Sequence, residues 1–254
     1  KSLISEGQYK ALVRFYRKGL PSLRYRLGQS PFLVIGSGVK ILPQNSQVTL
    51  KSGINVVKKL DYKRQDIFLS VESDMEYRVR LRSCAKEPDT IEWIESDLAD
   101  GDVFYDVGAN VGAYSLVASK FFRGKVQVYA FEPSFLNFPQ LCKNLALNHC
   151  EDSVTPFQVA LSNETGIDTF NYHSLVIGGA VHTLGEAIDD QGEPFNPASR
   201  QLVLSFRGDD FTKQFDIPPP NHIKIDVDGT EFSVLKGFDD SLNDPGVRTV
   251  MLEL

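Results

Sequence analysis

The chain contains no long hydrophobic run. Nothing in it approaches the ~18 consecutive apolar residues that a membrane-spanning helix needs, so neither a membrane span nor a signal peptide is expected within these residues. Cysteine is scarce: Cys84, Cys142 and Cys150 are the only three, an odd number without metal-ligand spacing. That argues against a disulfide framework and a thiolate metal site, and it reads as reduced thiols in a cytoplasmic protein. The four histidines (His149, His173, His182, His222) show no ligand spacing either. Asp226, Asp228 and Glu231 are close enough in sequence to collect a hard cation, but capping or solvated acids are commoner at a strand–helix junction, so no metal is expected. Acidic residues are rare in the first quarter and abundant afterwards. Residues 1–65 hold 13 Lys/Arg against 2 Asp/Glu, whereas residues 66–254 hold 14 against 31. A basic piece of this kind either docks on the acidic body or makes peripheral contact with an anionic surface or acceptor; no specific nucleic acid is expected. The first residue is lysine, which fits a native start lying upstream.

What is present is an ordinary globular composition, 42% hydrophobic and 24% charged over 254 residues. It fits one large domain with a smaller appendage. The appendage is placed at residues 1–65. There, Ser5 to Leu20 has helical periodicity with Lys10, Arg14, Arg17 and Lys18 on one face, and Pro31 to Leu42 is β-rich around Gly36-Ser-Gly38. From Gln47 to Arg82, short β-rich runs separated by turn residues predict antiparallel hairpins. Pro88 is well placed as the first residue of a helix.

The main domain, residues 66–254, turns on one stretch. Val103 to Val107 is an apolar run interrupted by Asp106; a loop with Gly108, Ala109, Asn110 and Gly112 follows, then a helical segment. A second apolar run, from Val126, ends in Glu132. Strand, glycine loop, helix, strand and acid form a nucleoside-binding βαβ layout. The glycines admit close backbone approach, and the acid can accept both hydrogen bonds of a ribose diol. A dinucleotide fingerprint would need glycine where this chain has Asn110 and Ala113, which disfavours a nicotinamide-dependent oxidoreductase.

Later elements alternate in the same way. Pro133 opens a helix with Phe138, Leu141 and Leu145 on its core face; Thr155 to Leu161 is a third strand. Gln201 to Phe206, Ile223 to Val227 and Val247 to Leu254 are further strands, with a helix from Glu231 to Phe238. Residues 162–200 are too long and too irregular for an ordinary connection and are expected to be a functional insertion, a lid. The pattern predicts an α/β fold: a mostly parallel sheet with helices on both faces and the ligand at the carboxyl ends of its strands. Asp106, Glu132, Leu161-Ser162 and Asp226 fall at such ends.

The D-x-G-A-N-x-G stretch resembles the first motif of class I S-adenosylmethionine (SAM) methyltransferases. FEPSFLNFPQLCKNLALN, VALSNETG, PPPNHIKIDVDGTEFSVLKGF and AKEPDTIEWI together resemble the FkbM methyltransferase family over roughly residues 70–254. The resemblance implies a Rossmann-like class I fold, SAM as cofactor, and O-methylation of a sugar, glycan or polyketide-like hydroxyl. It implies that Asp106, Gly108, Ala109, Asn110, Gly112, Phe131, Glu132, Leu161 and Ser162 surround the cofactor and that Asp226 serves the acceptor side. Such a sheet normally carries two more strands, so a longer native chain is expected. A module that keeps the fold without catalysis and binds an anionic partner is the alternative that residues 1–65 keep open.

Overall fold

A computed structural model of the protein describes residues 39–188 and 192–253. The chain divides into two units, Lys1–Asn55 and Val56–Leu254. In the first, the described residues form helix α1 (Gln44–Gly53), none of whose residues is buried. The helix expected at Ser5–Leu20 and most of the β-rich stretch at 31–42 lie outside the described residues.

The second unit starts with an antiparallel pair, β1 (Val57–Lys59) and β2 (Phe68–Ser70). Residue 65 falls between these two strands, so the hairpin belongs whole to this unit. The hairpins expected over 47–82 reduce to this one. α1 takes residues 44–53, and α2 (Asp74–Arg78), a 3₁₀ turn (Arg80–Arg82) and α3 (Ser83–Lys86) follow β2. The physical reason lies at Ser73. Its hydroxyl accepts from the Glu76 N–H while the Glu76 carboxylate accepts from the Ser73 N–H. This reciprocal cap starts a helix where Glu72-Ser-Asp74 reads as a turn between strands.

Helix α4 (Pro88–Asp97) begins at the proline, as expected, and buries Trp93 and Ile94. Then come β3 (Val103–Val107), α5 (Ala113–Phe121), β4 (Gln127–Phe131), α6 (Asn137–Asn148) and β5 (Val154–Phe157). Helix α6 starts four residues after Pro133 because the Ser134 hydroxyl accepts from the N–H groups of Leu136 and Asn137, capping the entry. The expected third strand breaks after Phe157. Its end, β6 (Ala160–Leu161), joins a second sheet with β7 (Gly166–Tyr172), β8 (Thr183–Leu184) and β9 (Ser199–Phe206), in the order β6-β9-β7-β8. The insertion therefore carries the hairpin strands β7 and β8 and leads into β9, while its described residues 173–182, 185–188 and 192–198 are largely irregular.

The chain returns through α7 (Gly208–Phe215) to β10 (His222–Ile225), α8 (Glu231–Gly237), α9 (Asp239–Leu242) and β11 (Thr249–Leu252). The central sheet is all parallel in the order β11-β10-β3-β4-β5. Counted along the chain, its strands run 5-4-1-2-3, the doubly wound order with its reversal between β3 and β10. Strand alternation divides the core. Phe104 and Val128 pack with Trp93, Leu116 and Leu141 on one face, while Tyr105, Val107 and Phe131 pack with Phe206, Phe211 and Phe238 on the other. Burial on both faces explains why β3 and β4 read as nearly continuous apolar runs.

Candidate active site

The carboxyl ends of β3, β4 and β10 converge at the strand reversal, and the loop after β3 is shaped by that convergence. Gly108 has φ +81, and a Cβ there would lie 1.8 Å from the Asp226 carbonyl oxygen. Gly112, at φ +89, would drive a Cβ to 2.5 Å from the Leu141 side chain. Both positions need glycine for the left-handed backbone and for the close approach of β10 and α6. Asn110 also stands in the left-handed region, at φ 50.

Glu132, at the end of β4, is 5% exposed. Its Oε2 accepts from the Asn110 N–H at 2.8 Å and its Oε1 from the Ser134 N–H at 3.0 Å, so the acid ties the two loops together. Burial pushes its carboxyl up to about 7, against the pull of those two N–H groups and of Arg80, with Asp228 adding to the rise. Two of its four acceptor positions remain for a ligand.

Beside it lies a cleft of about 330 Å³, open mouth included, lined by Gly108, Phe131, Leu161, Phe170, His182 and Leu184 among others. The side chains lining the slot are apolar apart from the His182 imidazole and the Thr230 hydroxyl. The imidazole ring is 6% exposed; its Nδ1 accepts from the His173 N–H at 3.2 Å, which places the proton on Nε2, a buried atom without a partner. Burial, His173 and Arg80 hold its pKa down to about 4, so it is neutral at pH 7.

The third strand end is polar. Lys224 is 1% exposed, its Nζ 2.9 Å from Asp226 Oδ2 and 4.7 Å above the Tyr114 ring. Burial would lower its ammonium, but Asp226 and Asp106 outweigh that and raise it. Asp226 shows the complement: burial would raise the carboxyl, and Lys224 holds it below the usual range. One carboxylate oxygen from each of Glu87, Asp226 and Glu253 lies within 4.8 Å of the others. Glu253 is pushed up to about 7 by burial and by Asp226 and Glu87.

The expected residues separate into three groups. Gly108, Phe131 and Leu161 line the cleft, and Glu132 and Asn110 bond to each other at its rim. Asp106 lies beneath the loop, fully buried, accepting from Ser115 Oγ at 2.5 Å and leaving Oδ1 unpaired. Ala109 and Gly112 shape the loop backbone: the Ala109 N–H binds the Phe131 carbonyl, and the Gly112 N–H closes a turn on Ala109. Ser162 turns away, its hydroxyl bonded to Asn163. The strand parity that aligns Lys224 with Asp226 does not extend to Asp228. That residue turns at φ 52 and accepts from the Val181 N–H at 2.7 Å. Glu87 and Asn137 lie inside stretches that carry the family resemblance, Glu253 and Arg80 outside them, and none of the four was expected here. Within the insertion expected at 162–200, the stretch 173–182 is bonded to the side chains of Asn110, Asn137 and Arg80. Among the described residues no helix is long and apolar enough to cross a membrane.

Comparison with known proteins gives this geometry a context. A family model described as the methyltransferase FkbM domain matches residues 106–254. The hexuronic acid methyltransferase AglP of Haloferax volcanii is 27% identical over 175 residues, 69% of this chain and 65% of that protein. The 31-O-demethyl-FK506 methyltransferase FkbM of Streptomyces tacrolimicus is 31% identical over 186 residues, 62% of this chain and 67% of that protein. The chain thus spans about two thirds of these relatives. Among solved structures, a precorrin-6y C5,15-methyltransferase from Geobacter metallireducens matches with a TM-score of 0.39 at 14% identity, covering 65% of this chain and 60% of that one.

Proposed function

The chain belongs to the FkbM methyltransferase domain family, and we propose that it transfers a methyl group from SAM to a hydroxyl of a sugar, glycan or polyketide-like acceptor. The observation that carries the cofactor reading is Glu132. A carboxylate buried at the second strand end, bonded to the glycine loop and beside an apolar slot, is what a nucleoside with a ribose diol requires. The residues fit SAM in kind. Glu132 offers acceptors for the two hydroxyls, Phe131, Leu161 and Phe170 offer a flat apolar slot for the base, and His182 Nε2–H offers one donor to its edge. The unpaired oxygens of Asp106 and Asn110 are acceptors suited to an ammonium group. Asn110 and Ala113 at the fingerprint positions weigh against a nicotinamide dinucleotide.

When bound, SAM supplies an electrophilic methyl on a good leaving group, so alignment accounts for most of the acceleration. The protein's task on the other side is to receive the acceptor proton. Asp226 is ionised at neutral pH beside Lys224, and Glu253 stands within its carboxylate cluster with a pKa of about 7, matched to taking up a proton near pH 7. The names of the two relatives, a hexuronic acid methyltransferase and a 31-O-demethyl-FK506 methyltransferase, support an oxygen acceptor. The test is incubation with methyl-labelled SAM and purified uronic-acid glycans, neutral glycans and polyketide alcohols. Label in one of these classes supports the reading; label in none of them, with S-adenosylhomocysteine bound, leaves a non-catalytic module.

A further inference from the structure

Residues 173–182 run beside the glycine loop as a strap. Ser73 Oγ donates to the Ile177 carbonyl, Asp228 accepts from the Val181 N–H, and Asn137 Oδ1 accepts from the Gly178 N–H. Three side chains from separate elements donate to the Gly178 and Gly179 carbonyls. Arg80 Nε, in the 3₁₀ turn, donates to the Gly178 carbonyl at 2.8 Å. Asn110 Nδ2, in the glycine loop, donates to the Gly179 carbonyl at 2.9 Å, and Asn137 Nδ2, the first residue of α6, reaches the same oxygen at 3.4 Å. Two neighbouring oxygens are thus gripped by a guanidinium and two amides. A guanidinium donates to a neutral carbonyl, but it bonds a carboxylate more strongly.

The charges around them explain why a cation is there. Asp106, Glu132, Asp226 and Asp228 all face this strand end, and a ligand carboxylate entering among them needs a positive partner. Two cations have fields that reach these groups. Lys224 acts on Asp106 and Asp226, and Arg80 acts on Glu132, Asp226 and Asp228. Lys224 is sealed in the core and bonded to Asp226. Arg80 is half-buried, and its one hydrogen bond here is the long-range link to the strap.

We propose that Arg80, with the side-chain amides of Asn110 and Asn137, is the receptor for the α-carboxylate of the cofactor, whose oxygens take the place of the Gly178 and Gly179 carbonyls. The unpaired Oδ1 of Asn110 lies on the same amide and offers an acceptor to the adjacent ammonium. An amino-acid zwitterion would then satisfy both ends of that side chain. The assignment rests on the SAM reading above.

The experiment compares S-adenosylhomocysteine with its decarboxylated form, S-adenosyl-3-thiopropylamine, which lacks only the carboxylate. Calorimetric affinities are measured for wild type, Arg80→Met and Arg80→Lys. The proposal predicts that Arg80→Met weakens S-adenosylhomocysteine at least tenfold and changes the decarboxylated ligand less than twofold, with Arg80→Lys in between. Unchanged binding of the decarboxylated ligand also shows that the variant is folded. An equal loss for both ligands, or an S-adenosylhomocysteine affinity that is unchanged or improved because the strap was loosened, overturns the proposal. Wild type that binds neither ligand overturns the SAM reading as well, an outcome distinct from the other two.

Discussion

Replacing Glu132 by glutamine tests the site where stability and binding separate by pH. The side chain is buried, and its carboxyl moves from an ordinary 4.5 to about 7. A carboxyl raised on folding destabilises the fold as pH rises. The effect is absent below 4.5, grows between 4.5 and 7, and reaches about 3 kcal/mol above that. Glutamine abolishes it. In exchange, the N–H groups of Asn110 and Ser134, which now each have a carboxylate oxygen, must share one amide oxygen. That substitution costs about 1–3 kcal/mol at any pH. Glu132→Gln is therefore expected to melt several degrees below wild type at pH 5 and to draw level with it or exceed it at pH 8. Binding behaves in the opposite way. Ribose hydroxyls donate to the ionised carboxylate, so wild-type affinity for S-adenosylhomocysteine should rise roughly tenfold from pH 6 to pH 8. The variant should show no such rise and should bind about 30-fold more weakly at pH 8, the equivalent of about 2 kcal/mol for a lost charged hydrogen-bond pair. Thermal melts and titration calorimetry at the two pH values read both effects. Equal affinity for the two proteins at pH 8, or a pH-dependent affinity that survives in the variant, refutes the role given to Glu132.

Asp226→Asn should leave S-adenosylhomocysteine affinity within about twofold and lower methyl transfer at least tenfold, the lower end for a lost proton acceptor; an affinity that collapses in calorimetry would move Asp226 to the cofactor or to folding through Lys224. Gly108→Ala places a methyl against the Asp226 carbonyl in a left-handed backbone. A loss of about 4 kcal/mol or more, or insoluble protein, is expected in denaturant unfolding, and near-wild-type stability would contradict the close approach of β3 and β10.

The part of the site that was legible in the sequence is the part made by local structure. Strand, glycine loop, helix and acid lie within residues 103–132, and each short-range signal has a local cause: positive φ at Gly108 and Gly112, two buried faces for β3 and β4, an acid at a strand end. The mostly parallel sheet with helices on both faces followed from alternating elements in the same way, whereas its strand order came only from the fold. What could not be read was brought together by distance in the chain. Glu87, Asp226 and Glu253 come from the start of α4, the end of β10 and the end of β11, with no spacing to announce them. Arg80 and Asn137 reach the strap from elements 98 and 42 residues away in sequence. The misread stretch before the main sheet had a different cause. Short alternating runs from Gln47 to Arg82 satisfy a strand pattern, but the cap at Ser73 and Glu76 is the stronger local signal. The insertion was legible from composition only as an irregular stretch, while its β7–β9 pairing depends on a register that only the folded sheet supplies.

The central claim is that the convergent ends of β3, β4 and β10 hold SAM, and calorimetric titration of the protein with S-adenosylhomocysteine and with NAD tests it most directly. The account predicts one saturable site for S-adenosylhomocysteine, about 30-fold weaker at pH 8 in Glu132→Gln, and no heat from NAD. Saturable binding of NAD, or no binding of S-adenosylhomocysteine at pH 8, would contradict it.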